Sequence, residues 1–142
     1  MSSINILEHD LVPLHFIVSR NIEITCNECK KKFYRSEFEI CNSEKVVCQH
    51  CNKKIDDTPY QKYRLVREFF CEEIETVIEK AFDTKKEAFP KIRKTDPVIR
   101  LIDMALLSKG FGELECGRFI KIVRKSKSAG VAISYRVIVK GD

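Results

Sequence analysis

The stretch of sequence from position 117 to 139 reads GRFIKIVRKSKSAGVAISYRVIV. Two runs rich in β-branched and aromatic residues, 119–124 and 131–139, flank a polar connector at 125–130. In the second run apolar residues recur at every other position, which is the period of a strand with one apolar face. Gly130 closes the connector and can adopt the positive φ that tight turns require. The stretch predicts an antiparallel hairpin, and because a hairpin alone is marginally stable, other segments must cover it.

The length of the chain, 142 residues, suits one domain with a real core or a small domain with a satellite module. No apolar run reaches the length of a membrane span, and the opening MSSINILEHD lacks the pattern of a secretory signal. We therefore expect an intracellular protein with no membrane partner, in the nucleus or the cytoplasm. The formal net charge of +5 suits contact with nucleic acid or an acidic partner, but it equally describes a solvated basic surface.

Four of the seven cysteines form two Cys-x-x-Cys pairs, Cys26 with Cys29 and Cys48 with Cys51, separated by 18 residues. This spacing is typical of a four-cysteine zinc site. Each pair directs two thiolates at one point, and two pairs complete a tetrahedron around Zn²⁺. Because all four ligands come from the protein, we predict one structural zinc ion per chain. A segment as small as 25–54 would owe much of its stability to that metal.

Other chemistries fit parts of the same pattern. A redox Cys-x-x-Cys motif normally uses one pair, whereas an iron–sulfur cluster accepts the same four thiolates. Cys41 and His50 lie near the pairs in sequence; we expect Cys41 to pack as a small apolar residue and His50 to point outward. The odd number of cysteines and the absence of a secretory signal argue against disulfides.

Basic and aromatic residues surround the cysteine pairs: Lys30, Lys31, Lys32, Phe33, Tyr34, Arg35, Lys53 and Lys54. Such a mixture can contact a nucleic-acid backbone and stack on bases. The alternative is a charged rim around a small β ribbon whose own core is apolar, built from Phe33, Tyr34, Phe38, Ile40, Val46 and Val47. The sequence leaves both interpretations open.

The remaining segments suggest a strand and two helices. Residues 14–18 are predicted as a strand that Pro13 precedes. Residues 56–83 are predicted as a helix whose apolar stripe, with spacings of three and four, includes Phe70, Ile74 and Val77, while Glu75 faces away from it. A basic loop follows at 85–94. The triplet Thr95-Asp96-Pro97 then predicts the start of a second helix, which ends at Gly110 and Gly112. Its core face is predicted to hold Val98, Leu101, Ile102, Ala105 and Leu106, and Cys116 is assigned to packing.

No sequence motif indicates an active site. The sequence contains no phosphate-binding glycine-rich loop, no Gly-x-Ser-x-Gly and no His-Glu-x-x-His. We therefore predict that the chain is not an enzyme by itself.

Separated stretches of the sequence together resemble a known family. All the stretches occur in the same order as in the family, and the first has the pattern H-x-L-V-P-x-H. They comprise His9, Leu11, Val12, Pro13 and His15, then Phe89-Pro90-Lys91-Ile92, Asp96-Pro97-Val98 with Arg100, 121–126, Ala129-Gly130 and Tyr135-Arg136. These residues resemble the archaeal RNA polymerase component designated H and the C-terminal assembly domain of the fifth common subunit of eukaryotic RNA polymerases. The resemblance covers about half of the chain, residues 7–19 and 89–139.

The resemblance implies an α+β fold, with a small mixed β-sheet packed with helices and the opening strand joined to the sheet of the terminal hairpin. It also implies a non-catalytic subunit that docks on the largest polymerase subunit, near the downstream end of the DNA channel, and acts in transcription and polymerase assembly. Other polymerase subunits are further partners, and any contact with DNA would be indirect. Residues 1–20 and 56–142 would form the assembly domain, and 21–55 a zinc-ribbon insertion.

Three departures from the family pattern stand out. The jaw domain of the eukaryotic subunit is missing, the cysteine module interrupts the assembly domain, and about ten extra residues lie around 103–112. We expect an unusual lineage, such as a large DNA virus with its own polymerase, in which case the virion is a further location. The alternative function is a free-standing zinc-ribbon regulator of transcription that binds nucleic acid.

Overall fold

The computed structural model describes residues 13–126, 128 and 130–141 of the chain. Within these ranges, five strands form a mixed sheet in the order β4-β1-β6-β7-β5. Their bounds are Leu14–Ser19 (β1), Phe70–Ile74 (β4), Lys91–Arg93 (β5), Phe119–Ser126 (β6) and Gly130–Val139 (β7). β1 pairs antiparallel with β6 and parallel with β4, and β7 pairs antiparallel with β6 and parallel with β5. The predicted α+β class with a mixed sheet is confirmed.

The terminal hairpin is present and forms the middle of this sheet. Its register runs from Phe119 opposite Val137 to Ser126 opposite Gly130, and Gly130 has a φ of 78°. The opening strand joins it as expected, with His15 opposite Ile122. His9, Leu11, Val12 and Ala129, which also carry the family resemblance, lie outside the described residues.

Each face of the sheet is buried against helical or loop residues. On one face Ile17, Ile120, Ile122 and Ile138 share a core cluster with residues of the helix Pro97–Ser108 (α4). On the other face Val18, Phe119 and Val137 cluster with Ile78 and Phe89. Full burial of such side chains stabilises a fold by roughly 1.5–3 kcal/mol each. The base of the hairpin thus obtains cover, whereas its outer half is exposed, including Val131 and Ile133.

The predicted single helix over 56–83 is wrong. The segment contains 3₁₀ turns at Thr58–Tyr60 and Arg67–Phe69, a short helix Gln61–Arg64 (α2), the strand β4 and a helix Glu75–Ala81 (α3). Phe70 and Cys71 point to opposite faces of the sheet and are both buried, because β4 pairs with β1 under cover on both sides. The spacing of three and four in the sequence therefore arises from alternating local structures, and Val77, placed in the predicted stripe, is exposed.

The predicted loop over 85–94 contains regular structure, a 3₁₀ turn at Lys86–Ala88 and the edge strand β5. Ile92 is buried opposite Ile138, so this three-residue strand closes one side of the sheet. The sequence does not reveal this strand. A single apolar residue, Ile92, between two exposed basic residues is too short a segment to show the alternation of a strand.

The second helix, α4, begins as predicted. Asp96 accepts a hydrogen bond from the Val98 amide at 2.9 Å, and Pro97 occupies the first turn. Gly110, with a φ of 76°, follows its end. The predicted core face is only partly right. Ile99, Ile102 and Leu106 are buried, whereas Leu101 is 65% exposed. The part of the extra segment 103–112 up to Ser108 extends this helix.

The cysteine-rich segment forms a second, two-stranded sheet from Asn21–Thr25 (β2) and Lys32–Ser36 (β3), followed by a helix Glu37–Cys41 (α1). Ser36 and Glu39 form a capping box that starts the helix. Phe38 and Ile40 are predicted in the β ribbon, but they lie in α1. The cause is the capping box, which converts the chain from strand to helix directly after β3.

Among the described residues, no helix combines the length and apolar character needed to cross a membrane.

Candidate metal centre

The two Cys-x-x-Cys turns have the same backbone geometry. The amide of Lys30 donates to the Cys26 carbonyl at 3.0 Å, and the amide of Asn52 donates to the Cys48 carbonyl at 3.0 Å. Lys30 and Asn52, each four residues after the first cysteine of its pair, have positive φ angles of 65° and 60°. The repeated turn explains how two segments separated in sequence present their sulfur atoms in the same way.

The four predicted ligands converge. All ligand atoms of Cys26, Cys29, Cys48 and Cys51 lie within 4.8 Å of one another. The Sγ atoms of Cys26 and Cys51 are 3.7 Å apart, and those of Cys29 and Cys48 are 3.6 Å apart. A regular tetrahedron with zinc–sulfur bonds of about 2.3 Å requires sulfur atoms about 3.8 Å apart. The cluster therefore has dimensions that fit a tetrahedral metal ion.

The electrostatics of the cluster also favour a cation. The backbone amide of Cys29 donates to the Cys26 sulfur at 3.4 Å, and this bond lowers the pKa of the Cys26 thiol to about 6. At Cys51 an amide hydrogen bond from Lys53 favours the thiolate, but desolvation and the adjacent sulfur atoms outweigh it and raise the pKa to about 11. Ionisation of one cysteine thus makes ionisation of a neighbouring cysteine less favourable. A bound cation would allow all four cysteines to ionise together.

The other candidate ligands lie outside this cluster. His50 is exposed as expected, and its Nε2 lies 3.0 Å from the Lys32 carbonyl oxygen. Cys41 is buried and packs in the core, and burial raises the pKa of its thiol to about 12. The assignment of Cys116 to packing is wrong, since its side chain is exposed. Gly117 turns the chain there with a φ of 95°, so that Arg118 enters the core instead.

Thiol reactivity should follow this arrangement. In the metal-loaded protein we expect iodoacetamide to label Cys116 rapidly, whereas Cys41 and Cys71 stay protected because burial raises the pKa of each thiol to about 12. Addition of a chelator should expose the four clustered cysteines to labelling. Peptide mapping by mass spectrometry measures both patterns. Rapid labelling of Cys26 or Cys48 before chelation would contradict a four-sulfur site.

A buried ion pair joins the cysteine-rich segment 21–55, here called the module, to the five-stranded sheet. Arg118, which precedes β6, makes a bidentate salt bridge to Glu37 at the start of α1, and both side chains are almost fully buried. Arg118 also donates to the Val18 carbonyl at 3.0 Å. Glu37 further accepts from the Arg20 amide at 2.8 Å and from the Tyr63 hydroxyl at 3.3 Å. The carboxylate of the module is therefore satisfied almost entirely by groups of the larger domain.

A second buried carboxylate, Glu75, lies beside this junction. It accepts hydrogen bonds from Arg20 Nε at 3.0 Å, Lys86 Nζ at 3.1 Å and the Phe119 amide at 3.3 Å. Local sequence patterns identify neither buried glutamate. The predicted long helix places Glu75 on its solvated face, and nothing local marks Glu37 as buried, because its partner is 81 residues away.

The exposed surface around the cysteine cluster is basic. Five lysines on it are exposed: Lys30, Lys31, Lys32, Lys53 and Lys54. Two of them have acidic partners, Lys32 with Glu23 at 3.1 Å and Lys53 with Glu28 at 3.9 Å. The two aromatic residues between them differ: Phe33 fills the core of the module, whereas Tyr34 is 57% exposed. One aromatic side chain thus remains exposed, on the same face of β3 as Lys32.

Comparison with known proteins identifies relatives of the larger domain. The family model described as the C-terminal domain of RNA polymerase Rpb5 matches residues 60–138, which is more than half of the chain. A protein of Methanocaldococcus jannaschii named DNA-directed RNA polymerase subunit Rpo5 is 38% identical over 69 residues, covering 49% of this chain and 74% of that protein. A Thermoplasma acidophilum protein of the same name is 39% identical over 66 residues, covering 46% of this chain and 70% of that protein.

Proposed function

Because this chain belongs to the family of the RNA polymerase Rpb5 C-terminal domain, we propose that it is a non-catalytic subunit of a multisubunit DNA-directed RNA polymerase. The observation that carries the proposal is the match over residues 60–138, since this range contains β4, β5, β6 and nearly all of β7. The similar archaeal proteins are named as polymerase subunits. The sequence has no catalytic motif, and this supports a role in transcription through assembly.

The partner in this proposal is the largest polymerase subunit, on which the chain docks near the downstream DNA channel. The family resemblance suggests this position, and the sheet that joins β1 to the terminal hairpin would supply a surface for docking. We expect the protein wherever its polymerase works, in the nucleus or the cytoplasm, or in the virion if the polymerase is that of a virus.

The metal in this proposal is one structural zinc ion per chain, held by Cys26, Cys29, Cys48 and Cys51. The sulfur–sulfur distances support it, and four protein ligands leave no open position for catalysis. Residues 21–55 would be an insertion in an assembly domain formed by 1–20 and 56–142. The zinc module would add a second contact with protein or DNA.

Co-purification tests the subunit proposal. A tagged copy of the full chain, expressed in the cells that use it, should retain the largest polymerase subunit through washes at physiological ionic strength. Quantitative mass spectrometry measures the retained subunit. Failure to retain it, from cells in which the polymerase is abundant and the tag is accessible, would rule out the subunit function.

The second candidate function is a free-standing zinc-ribbon regulator that binds nucleic acid. It is favoured by the lysines around the cysteine cluster and by Tyr34 on the same surface. Such a protein would bind duplex DNA by itself, with an affinity that falls steeply as salt rises, because phosphate contacts release counterions. Fluorescence anisotropy of the isolated chain with a DNA oligonucleotide distinguishes the subunit function from the regulator function. Weak binding that does not depend on salt would exclude the regulator function.

A further inference from the structure

A cleft of about 340 Å³ opens where the start of α4 meets the sheet. Its lining includes His15, Arg124 and Arg136, whose side chains share the face of the sheet that holds Ile92 and Ile122. Lys91 and Arg93 also line it, but strand alternation directs their side chains to the other face, where Lys91 Nζ donates to the Phe89 carbonyl. His15, Arg124 and Arg136 come from three different strands, β1, β6 and β7. The sheet topology, rather than any one segment, therefore concentrates positive charge at this place.

Asp96 is the acidic residue of the lining, and its single negative charge offsets only part of the positive charge of Arg124 and Arg136. Asp96 uses its carboxylate as the cap of α4, where it accepts from the Val98 amide at 2.9 Å. The Nη1 atom of Arg136 donates to the Lys91 carbonyl oxygen at 3.3 Å, which holds that guanidinium across the edge between β5 and β7. Arg124 is exposed on the neighbouring strand. The cleft is thus an electropositive concavity with guanidinium groups at its rim.

The same residues are part of the stretches by which the chain resembles its family. His15, Lys91, Asp96, Arg124 and Arg136 are scattered over more than a hundred positions, and the fold brings them to one cleft. None of these side chains is fully buried. The charged groups of the cleft therefore belong to the surface of the domain rather than to its core.

We propose that this cleft is the docking site for an acidic segment of a partner polymerase subunit, whose carboxylates bind Arg124 and Arg136. The inference rests on the proposed function, since it names the chemistry of the partner at one surface. Arginine suits the role because its planar fork of donors pairs bidentately with a carboxylate. Complementary charge of this kind fixes register between subunits and accelerates their association.

The shape of the cleft favours a protein segment over nucleic acid. Its floor includes the buried side chains of Ile92 and Ile122, so an entering side chain meets apolar surface below the rim of charge. The volume suits a few side chains of a loop. A duplex presents its backbone phosphates along a convex surface, and proteins normally bind them through an extended basic surface. The structure places its charge in a pocket instead.

The test is charge reversal at the rim. Arg124→Glu, alone and with Arg136→Glu, is introduced into the tagged full chain, and the retained largest subunit is quantified after nuclease treatment. Lys125→Glu is the matched control, because it changes the same charge on the same hairpin but points to the opposite face of the sheet. Metal content and the midpoint of thermal unfolding verify that each variant is folded.

We expect a roughly tenfold or greater loss of the retained subunit for the arginine variants and wild-type retention for the Lys125 variant. A photo-crosslinking residue in place of Thr95, in the cleft wall, should capture a partner peptide rich in Asp and Glu. Full retention of folded Arg124→Glu and double variants would overturn the cleft inference while leaving the subunit function intact. Loss of wild-type retention on nuclease treatment would show that nucleic acid bridges the two proteins and would also overturn the cleft inference. Failure of the wild type itself, before nuclease treatment, would count against the proposed function.

Discussion

Cys26→Ser is expected to abolish metal binding and to unfold at least residues 25–54, with a loss of stability on the order of 5–10 kcal/mol. Cys26 is fully buried, and its sulfur is one of the four that converge. The effect should extend beyond the module, because Phe33 and Ile40 belong to the same continuous core as Ile17 and Ile120. Elemental analysis for zinc and urea unfolding followed by circular dichroism measure the two consequences.

Cys116→Ser provides the control for this prediction. Cys116 is exposed and outside the cluster, so its replacement should change stability by no more than about 0.5 kcal/mol and leave the zinc content at the wild-type value. Chelation of the wild-type protein should reproduce the effect of Cys26→Ser. A Cys26→Ser protein that keeps its metal and its unfolding midpoint would show that the four sulfur atoms do not form the site.

Arg118→Met is expected to destabilise the protein by about 3–5 kcal/mol, because it leaves the Glu37 carboxylate buried without its charge partner. The Tyr63 hydroxyl and the Arg20 amide remain as donors, but neither carries a compensating charge. Burial and the adjacent Glu37 raise the pKa of Tyr63, so the phenol stays a neutral donor at physiological pH. Chemical denaturation measures the free energy of unfolding.

The exposed ion pair of Glu23 and Lys32 is a control that separates the effect of burying an unpaired charge from the effect of losing a salt bridge. Glu23→Gln removes the salt bridge of Glu23 with Lys32, whose 3.1 Å pairing is solvent-exposed, and should cost less than about 1 kcal/mol. The double variant Arg118→Met with Glu37→Leu should be more stable than Arg118→Met alone, because no unpaired charge is left in the core. If Arg118→Met costs no more than Glu23→Gln, the buried pair does not hold the module to the sheet.

Local patterns in the sequence are sufficient to predict three parts of the structure. The hairpin is predictable because alternation of apolar residues along 131–139 and the glycine before it are local signals. The cysteine cluster is predictable because metal geometry demands a fixed spacing within each pair. The start of α4 follows from a cap and a proline that are adjacent in sequence.

The parts that could not be predicted depend on distant partners. Phe70 lies in a strand because Ile17, more than fifty residues earlier, pairs with it in parallel, and such pairing leaves no local mark. The spacing of apolar residues in this region fits a helix equally well. Glu37 and Arg118 form a buried pair across 81 positions, whereas a single charged residue is normally assigned to the surface. The basic cleft likewise exists only after the strands that carry His15, Arg124 and Arg136 have assembled.

The most direct measurement starts from the polymerase. The enzyme is purified through a tag on its largest subunit, and the amounts of this chain and of zinc bound to it are determined by quantitative mass spectrometry. We predict that the chain is present in equimolar amount with the largest subunit and carries one zinc ion through its four clustered cysteines. A polymerase that is purified complete and active without this chain would contradict the account.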